Sequence, residues 1–473
     1  MPEILRSVSP ADPRDEVGRF PVADAPAVDA AVARARAAFP AWRDAGFEAR
    51  AAALRRFAAL ARDRSEDVAR LVAREVGKAL WDARAEAALL AAKVDATLAD
   101  GMRFAADFEA GPGARATFHP RGVLAVLGPF NFPVHLPNGH IAPALASGNC
   151  VVLKPSELAP AAGARLAELW RAAGLPAGVL ELLQGSSDTG RCLARHPDLD
   201  GVLFTGSWAA GRALAEAVLD QPGKLVALEM GGKNAMIVLA DADLELAVAE
   251  AALSICATTG QRCSSLSRIF VERALLEPFA ERLAKVLGGV QIGAPLDPRV
   301  FMGPLVSPRA FEKVRRYRAL SVEAGGRRID VPETGLTPPW IAPGLALFPD
   351  ARQDHAYHRD EIFGPEAALH PVAGLEEAID AANDSDYGLA ASVMTRDRAK
   401  YERCIGRVRT GVLNWNRGTI GASGRLPFGG RGRSGNDRPA GILATLYCTV
   451  PQAHLEHAGG LDPASLPPGM PQP

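Results

Sequence analysis

The chain has 473 residues, 48% of them hydrophobic, and a formal net charge of −1 at pH 7. Its length exceeds what one hydrophobic core usually holds and predicts two or three domains. The balanced charge excludes bulk attraction to nucleic acid or to an anionic membrane, and we expect neither as a partner. The six cysteines lack close regular pairing, and no signal peptide or membrane-spanning apolar run occurs, so we expect a cytoplasmic protein with reduced thiols.

Residues 26–108 are rich in Ala, Arg, Leu and Glu and predict several amphipathic helices. Val68, Leu71, Val72 and Val76, for example, recur at helical spacing on one face. The arginine density could indicate a basic binding surface, but a solvated helix face is the stronger interpretation.

From residue 123 onward, short apolar runs alternate with helical segments. The runs cover residues 123–128, 150–153, 179–183, 202–204, 226–228 and 236–239. This alternation predicts a parallel sheet covered by helices on both faces, and therefore an α/β fold. A second α/β stretch follows to about residue 413, and then a Gly-rich segment and a Pro- and Gly-rich tail, 459–473, which we expect to be flexible.

A thiol and a carboxylate lie in two glycine-containing motifs. Cys263 ends Thr-Gly-Gln-Arg-Cys and precedes an irregular polar stretch, which suits an exposed nucleophile, whereas the other cysteines fit small buried side chains. Glu229, in Leu-Glu-Met-Gly-Gly-Lys-Asn, closes an apolar run, which predicts a position at the C-terminal end of a strand, where ligand sites collect. Such a pair can provide a nucleophile and a base for water.

Asn131 lies between two prolines in Gly-Pro-Phe-Asn-Phe-Pro. The prolines fix a rigid turn, and the Asn131 amide could form half of an oxyanion hole. The alternative is a turn asparagine that bonds its own backbone.

Two further segments predict a cofactor site. Lys154-Pro-Ser-Glu157 follows one apolar run, and Gly206-Ser207 follows another and opens a helix, where free N–H groups and the helix dipole favour a pyrophosphate. A G-x-G-x-x-G sequence at residues 430–435 lacks the strand before it and the helix after it, and therefore predicts a loop.

Together with Glu361-Ile-Phe-Gly-Pro, these motifs resemble, in order and spacing, the NAD(P)-dependent aldehyde dehydrogenase family, from Ser7 to about His457. The resemblance implies that Cys263 is the nucleophile and Glu229 the general base, and that Asn131 and the Cys263 backbone N–H are the oxyanion donors. A retained Glu229 implies an acid-forming, hydrolytic enzyme. The cofactor residues that the resemblance implies are Phe130, Lys154, Glu157, Gly206, Ser207, Gly211, Glu361 and Phe363.

Glu157 favours NAD over NADP, because a carboxylate bonds a ribose hydroxyl and repels a 2′-phosphate. Lys154 partly offsets this preference, so NADP stays open. The implied fold has a Rossmann-like cofactor domain (1–108 and 122–229), an α/β catalytic domain (230–414) and a small β oligomerisation element (109–121 and 440–458). The family further implies a homodimer or homotetramer, although its Asn-Gly-x-Trp opening strand is absent before Ser7.

Residues 132–141 and 427–439 resemble the family members that oxidise N-succinylglutamate 5-semialdehyde in bacterial arginine catabolism. The alternatives are another semialdehyde, a broad range of aldehydes and, remotely, a non-catalytic scaffold of the same fold.

Arginine pairs with carboxylates, so an acidic substrate matches a group of four arginines near the site: Arg262, Arg268, Arg417 and Arg425. The alternative is that these arginines are solvated or bind neighbouring backbone. His135 is a further substrate candidate. As metal ligands, His135 and His140 lack a third partner, so we expect no metal.

Overall fold

The computed structural model describes residues 3–462 and 465–472. Residues 1 and 2 of the predicted cofactor domain, and residues 463, 464 and 473 of the predicted tail, lie outside the described residues.

Helices and strands alternate over most of the chain. The helices are α1 (Ala25–Asp44), α2 (Phe47–Asp63), α3 (Ser65–Val76), α4 (Leu80–Ala99), α5 (His135–Ala146), α6 (Pro160–Ala172), α7 (Ser187–Arg195), α8 (Trp208–Ala217), α9 (Leu244–Cys256), α10 (Leu276–Gly288), α11 (Pro308–Glu323), α12 (Ala356–Arg359), α13 (Leu375–Asn383), α14 (Arg398–Cys404) and α15 (Ala444–Tyr447). Short 3₁₀ turns span Gly101–Ala105, Ala257–Gly260 and Arg273–Leu275.

The strands of the first half of the chain are β1 (Ile4–Val8), β2 (Glu16–Pro21), β3 (Phe108–Gly111), β4 (Ala114–Pro120), β5 (Val123–Leu127), β6 (Cys150–Lys154), β7 (Leu180–Leu182), β8 (Gly201–Gly206) and β9 (Leu225–Met230). Those of the second half are β10 (Asn234–Val238), β11 (Leu266–Glu272), β12 (Arg327–Ile329), β13 (Gly344–Leu347), β14 (Glu366–Val372), β15 (Tyr387–Gly388), β16 (Ala390–Met394), β17 (Val412–Trp415), β18 (Pro427–Phe428), β19 (Arg431–Gly432), β20 (Ala440–Gly441) and β21 (Thr449–Leu455).

The first large sheet is parallel, with strand order β7-β6-β5-β8-β9. All five residues of β5 and of β6 are buried, which explains why both strands are continuous apolar runs. From β5 the chain adds strands first on one side of the sheet and then on the other. The carboxyl ends of β5 and β8 therefore flank a topological switch point, where α/β sheets bind ligands.

The second large sheet has the order β12-β13-β14-β11-β10-β16-β17 and is parallel except for β12. An apolar cluster on one face includes α9 and α10, and a second cluster on the other face includes α13. The α/β fold class that the sequence predicts is confirmed, whereas the domain boundaries stay a prediction.

A third, smaller sheet pairs β21 with β4 and β4 with β3, both antiparallel. It joins residues in the first third of the chain to residues near its end, and it exposes Phe108, Val450 and Leu455. At the N-terminus, β1 pairs with β2. The opening strand therefore forms without the Asn-Gly-x-Trp sequence.

The helices predicted for residues 26–108 are confirmed as α1 to α4. Val68, Val72 and Val76 are buried on one face of α3, as their spacing predicts, while Leu71 is partly buried. No helix among residues 3–462 and 465–472 combines the length and the apolar character needed to cross a membrane.

Candidate active site

A cavity of about 880 Å³ opens at the carboxyl ends of the first sheet and reaches the segment that follows α9. Cys263 and Glu229 both line it. Eleven further residues that the sequence predicts for catalysis, substrate binding or cofactor binding also line it: Phe130, Asn131, His135, Lys154, Glu157, Gly206, Ser207, Arg262, Glu361, Phe363 and Arg425. The fold thus gathers residues from most of the chain around one space.

Cys263 lies in a strained loop at the centre of this cavity and is partly exposed. Thr258 and Thr259 just before it adopt left-handed backbone angles, with φ of 54° and 56°, which cost free energy in residues with branched side chains. At Gly260 a Cβ would lie 2.2 Å from the carbonyl carbon of Gly364, so only glycine fits. The loop conformation is therefore imposed by its neighbours.

The helix α4 and the turn before it supply part of that support. Asp82 accepts a hydrogen bond from the Thr258 hydroxyl at 2.5 Å and forms an ion pair with Arg262 at 2.7 Å. Burial acts to raise the pKa of Asp82, but Lys78 and Arg262 hold that pKa below its usual value. Asp82 is consequently charged at neutral pH and fixes both sides of the bend.

Phe132, one residue beyond Asn131, lies between two cations of this network. The Nζ atom of Lys78 is 3.5 Å from the ring centroid, and the guanidinium carbon of Arg262 is 5.0 Å from it. Lys78 is itself held by Glu86 at 2.6 Å, with both side chains fully buried. The asparagine turn and the cysteine loop are thus connected through one buried ionic cluster.

Asn131 is buried, and its amide donates a hydrogen bond to the Gln261 carbonyl at 2.8 Å. The alternative, in which this amide bonds its own turn, does not describe the structure. An amide nitrogen carries two N–H groups, so one donor remains for a ligand oxygen beside Cys263.

The Cys263 thiol is held in its protonated form. Burial raises the pKa of the thiol to about 12, and the Glu361 and Glu229 carboxyls act in the same direction. Arg262 and the Ser264 backbone N–H act in the opposite direction. Thiolate formation therefore requires a change in charge around the sulfur, such as a cation entering the cavity.

Glu229 is the next to last residue of β9 and is 5% exposed. Its Oε1 accepts a hydrogen bond from the Ala440 N–H at 3.2 Å, while its buried Oε2 has no hydrogen-bond partner among the described residues. Burial raises the pKa of Glu229 well above its usual value. A carboxyl with a free oxygen and a raised pKa is suited to accept a proton from water.

The glycine-rich segment 430–435 lies against the strand of Glu229. The Met230 N–H donates to the Ser434 carbonyl at 2.9 Å, and Gly435 forms a β-bridge with Glu229. As predicted, the segment has no strand–turn–helix geometry. It packs against the end of β9 instead.

The cofactor end of the cavity contains Lys154, Glu157, Gly206 and Ser207. Lys154 is buried at the end of β6, and its Nζ lies 3.4 Å from the exposed Glu157 carboxylate. Ser207 caps α8, because its hydroxyl accepts a hydrogen bond from the Ala210 N–H at 3.3 Å. The N-terminus of α8 therefore faces the cavity and suits an anionic group.

Gly211 differs from the other cofactor candidates, because it is buried and does not line the cavity. A Cβ there would lie 2.4 Å from the sulfur of Met230. The contact of Gly211 with a cofactor therefore stays a prediction. This glycine lets α8 approach β9.

Glu361, Phe363 and Phe130 line the middle of the cavity. Glu361 accepts a hydrogen bond from the Gly232 N–H at 2.9 Å, and burial raises its pKa to about 7. Phe363 has a φ of 59°, and its ring meets that of Phe130 edge-on at 5.8 Å. These groups line the same cavity as Lys154, Ser207 and Cys263.

At the opposite end of the cavity, which is named the aldehyde end and contains Lys93, His135 and Arg425, the candidate arginines separate into two groups. Arg262 and Arg425 line the cavity, whereas Arg268 and Arg417 do not. The fully buried Arg268 donates hydrogen bonds to backbone carbonyls at the end of α13 and before β10, so its prediction as a substrate residue is wrong, as the backbone-binding alternative anticipated.

The two cavity arginines also differ in how far their guanidinium groups are already paired with other side chains. Arg262 is engaged by Asp82 and Thr258, so its charge is already neutralised. Arg425 is largely exposed and lies 4.0 Å from Asp100. Only Arg425 of this pair has a guanidinium open to an incoming carboxylate.

His135 begins α5, and its buried Nδ1 has no hydrogen-bond partner among the described residues. Burial, together with the charges of Lys93 and Lys78, lowers the pKa of His135 to about 3, so the ring is neutral. His140 bonds the Tyr447 and Thr205 hydroxyls. Over residues 3–462 and 465–472, no group of three or more His, Cys, Asp or Glu side chains is placed to hold a metal ion.

Sequence reasoning missed Asp82 and Lys93, both on α4. Lys93 is buried and lines the cavity. The chain has eight lysines among its 53 basic residues, and one of them in an Ala-Ala-Lys-Val helix is a signal that could have been followed. Asp82 gives no comparable signal, because acidic residues are frequent on these helices.

Comparison with known proteins identifies the family of this chain. The model of the aldehyde dehydrogenase family matches residues 2–452. The chain is similar to N-succinylglutamate 5-semialdehyde dehydrogenase of Burkholderia ambifaria (strain MC40-6), with 43% identity over 95% of this chain and 93% of the relative.

The chain is also similar in fold to solved structures. The NAD-dependent aldehyde dehydrogenase of Sinorhizobium meliloti superposes with a TM-score of 0.92 at 31% identity, covering 98% of this chain and 93% of that one. PnpE of Pseudomonas sp. WBC-3, in complex with nicotinamide adenine dinucleotide, gives a TM-score of 0.90 at 31% identity, covering 98% and 96%. The chain belongs to the aldehyde dehydrogenase family.

Proposed function

We propose that this chain oxidises N-succinylglutamate 5-semialdehyde to N-succinylglutamate, with NAD as the oxidant. The observation that carries the proposal is the relative of that name, which is 43% identical over 95% of the chain. The site supports it with a partly exposed Cys263, a Glu229 oxygen free to accept a proton, and cationic side chains at the aldehyde end.

The cavity fits a dinucleotide. The N-terminus of α8 offers N–H groups to a pyrophosphate, and Lys154 and Glu157 lie beside it to hold a ribose. Glu361 and Phe363 also line the cavity, and they would hold the second ribose and the nicotinamide. When bound, the dinucleotide accepts the hydride that converts the thiohemiacetal on Cys263 into a thioester.

The chain's own residues perform the remaining steps. The Cys263 thiol releases its proton to solvent as its sulfur attacks the aldehyde carbon, while the Asn131 amide and the Cys263 N–H stabilise the oxyanion. The free oxygen of Glu229 then takes a proton from the water that attacks the thioester. The acid leaves, and the proton held by Glu229 can return to the sulfur, which the raised pKa of the thiol favours.

Steady-state kinetics of NADH formation test the substrate. We expect kcat/KM for N-succinylglutamate 5-semialdehyde to exceed that for succinate semialdehyde, glutamate semialdehyde and pentanal by about 100-fold or more, roughly 2.7 kcal/mol. A flat profile would favour the alternative of a broad-specificity aldehyde dehydrogenase. No activity with any aldehyde would favour the scaffold.

We also propose a cytoplasmic homodimer or homotetramer. The support is the third sheet, whose outer strands β3 and β21 expose the apolar Phe108, Val450 and Leu455. Six free cysteines are consistent with a reducing compartment. Light scattering coupled to gel filtration measures the oligomer, and a monomer at micromolar concentration would contradict it.

A further inference from the structure

Lys93 is a buried ammonium group in the wall of the aldehyde end of the cavity. It lies on α4, and the residue is 6% exposed. Its Nζ donates a hydrogen bond to the Gly441 carbonyl at 2.6 Å, and no carboxylate of the described residues pairs with it. A buried cation usually has a charged partner, because desolvation is costly.

Apart from the largely exposed Arg425, two other charged side chains at this end of the cavity are already paired. Asp95 of the same helix binds Arg62 at 2.5 Å, and Arg262 is bound by Asp82. Lys93 also acts on two neighbouring rings, because its charge contributes to the lowered pKa values of His135 and His140. Both rings are therefore neutral and add no second positive charge beside the ammonium.

Burial lowers the pKa of Lys93 to about 8, and the only opposing influence is the sulfur of Cys448. The ammonium form still predominates at neutral pH. An incoming carboxylate would favour that form further, so binding an acidic ligand would offset part of the desolvation cost.

Lys93 is also close to the reacting groups. Its hydrogen-bond acceptor, Gly441, follows Ala440, whose N–H bonds Glu229. The path from the Lys93 ammonium to the Glu229 carboxyl consists of these two hydrogen bonds and the backbone between Gly441 and Ala440. The two groups therefore lie within roughly 12 Å of each other. This distance is compatible with a substrate that carries its aldehyde and a carboxylate on the same short carbon chain.

We propose that Lys93 binds a carboxylate of the aldehyde substrate and selects acidic semialdehydes over neutral aldehydes. The proposal deepens, and rests on, the proposed oxidation of an acidic semialdehyde. It assigns the selection to a buried lysine rather than to the paired Arg262.

A structural role is the competing explanation, since Lys93 also ties α4 to the turn that holds Glu229. The test therefore compares kcat and KM of the wild type, Lys93→Met and Lys93→Arg, with N-succinylglutamate 5-semialdehyde and with pentanal. The matched control is Lys224→Met, which removes another buried lysine bonded to backbone carbonyls, those of Ala194 and His196, outside the cavity.

We expect Lys93→Met to lower kcat/KM for the succinylated substrate by roughly 10- to 100-fold, mainly through KM, because a hydrogen bond to a charged group is lost. The pentanal value should change by less than about threefold, Lys93→Arg should retain part of the preference, and Lys224→Met should leave the ratio of the two substrates unaltered.

Equal losses on both aldehydes in Lys93→Met would overturn the proposal in favour of the structural role, and so would an unchanged preference. The identity of the substrate is decided separately by the wild type. If the wild type prefers succinate semialdehyde and Lys93→Met loses that preference, the proposed role of Lys93 is supported and the proposal of the succinylated substrate is refuted. A wild type without preference for any carboxylated aldehyde would overturn both.

Discussion

The two ends of the cavity are built from different kinds of elements. At the cofactor end, Lys154 and Ser207 belong to segments that end or directly follow parallel strands of one sheet. At the aldehyde end, Lys93, His135 and Arg425 come from two helices and a loop. Carboxyl ends of parallel strands meet at one edge by construction, whereas residues on helices and loops meet only through tertiary packing.

Cys263 and Glu229 lie between the two ends and give the largest expected effect. Cys263→Ala should lower NADH formation by roughly 10⁴-fold or more, because the covalent step has no other nucleophile. NADH binding, followed by fluorescence, should stay within about twofold of the wild type, since the cofactor end does not need the thiol. Cys192→Ala, on α7 and outside the cavity, is the control. Loss of NADH binding in Cys263→Ala would break the separation of the two ends.

Glu229→Gln should slow turnover by about 10²- to 10⁴-fold, because glutamine cannot take a proton from water. One equivalent of NADH should still form rapidly, since the thioester forms before water attacks, and rapid-mixing absorbance at 340 nm measures this burst. A missing burst would place Glu229 in an earlier step.

The raised pKa of Glu229 sets the sign of the pH dependence. The base must be deprotonated, so the hydrolytic rate of the wild type should rise with pH through this raised pKa. The same rise should be absent in Glu229→Gln. A rise of equal size in the variant would assign the titration to another group, such as the Cys263 thiol.

The Asp82→Asn variant tests whether the Asp82–Arg262 pair only supports the Cys263 loop or also takes part in binding the aldehyde substrate. Asp82→Asn leaves Arg262 without its ionic partner, which costs about 3–5 kcal/mol of stability for a buried pair. Displacement of the loop should lower kcat by up to roughly 100-fold for acidic and neutral aldehydes alike.

Thermal unfolding and kcat on both aldehydes measure these effects, with Glu66→Gln as the control. Glu66 pairs with Arg84 on the exposed surface, so its loss should be nearly neutral. A loss in Asp82→Asn confined to acidic aldehydes would instead assign Arg262 to substrate binding.

The contrast between the two ends also explains what the sequence could predict. The strands β5, β6, β8 and β9 are apolar runs bounded by glycine or polar residues, so their ends could be located and Lys154, Gly206 and Glu229 placed there. The close approach of α8 to β9 at Gly211 could not be predicted, because the sequence does not distinguish a glycine needed for helix–strand packing from one that contacts a ligand.

The aldehyde end was less accessible to the same reasoning. Arg268 is near Cys263 in sequence, but it lies on the central strand β11 and points to carbonyls at the end of α13. Lys93 is 170 residues from Cys263, and nothing local connects them. The charge of a side chain therefore indicated that it could bind an acidic substrate, but not whether it lies at the cavity.

Glu157 tests the cofactor end alone. Glu157→Gln should raise the kcat/KM ratio of NADP to NAD by roughly fivefold, because an exposed carboxylate repels a 2′-phosphate only weakly through solvent. The preference among aldehydes should not change. Glu168→Gln, an exposed pair with Arg165 on α6, is the control. An unchanged cofactor ratio would remove Glu157 from the adenosine ribose.

Arg425 should give the smallest effect. Its side chain is 72% exposed and its nearest carboxylate, Asp100, is 4.0 Å away, so solvent screens any pairing with substrate. Arg425→Gln should lower kcat/KM for N-succinylglutamate 5-semialdehyde by roughly two- to threefold and leave pentanal and NAD unaffected. Raising the ionic strength to about 1 M should reduce the wild-type preference by the same factor, because the Debye length falls to about 3 Å, while the contribution of the buried Lys93 should persist. If Arg425→Gln lowered kcat/KM more than Lys93→Met does, and if salt did not change that loss, Arg425 would be the main carboxylate contact, at the mouth of the cavity, and Lys93 the weaker one.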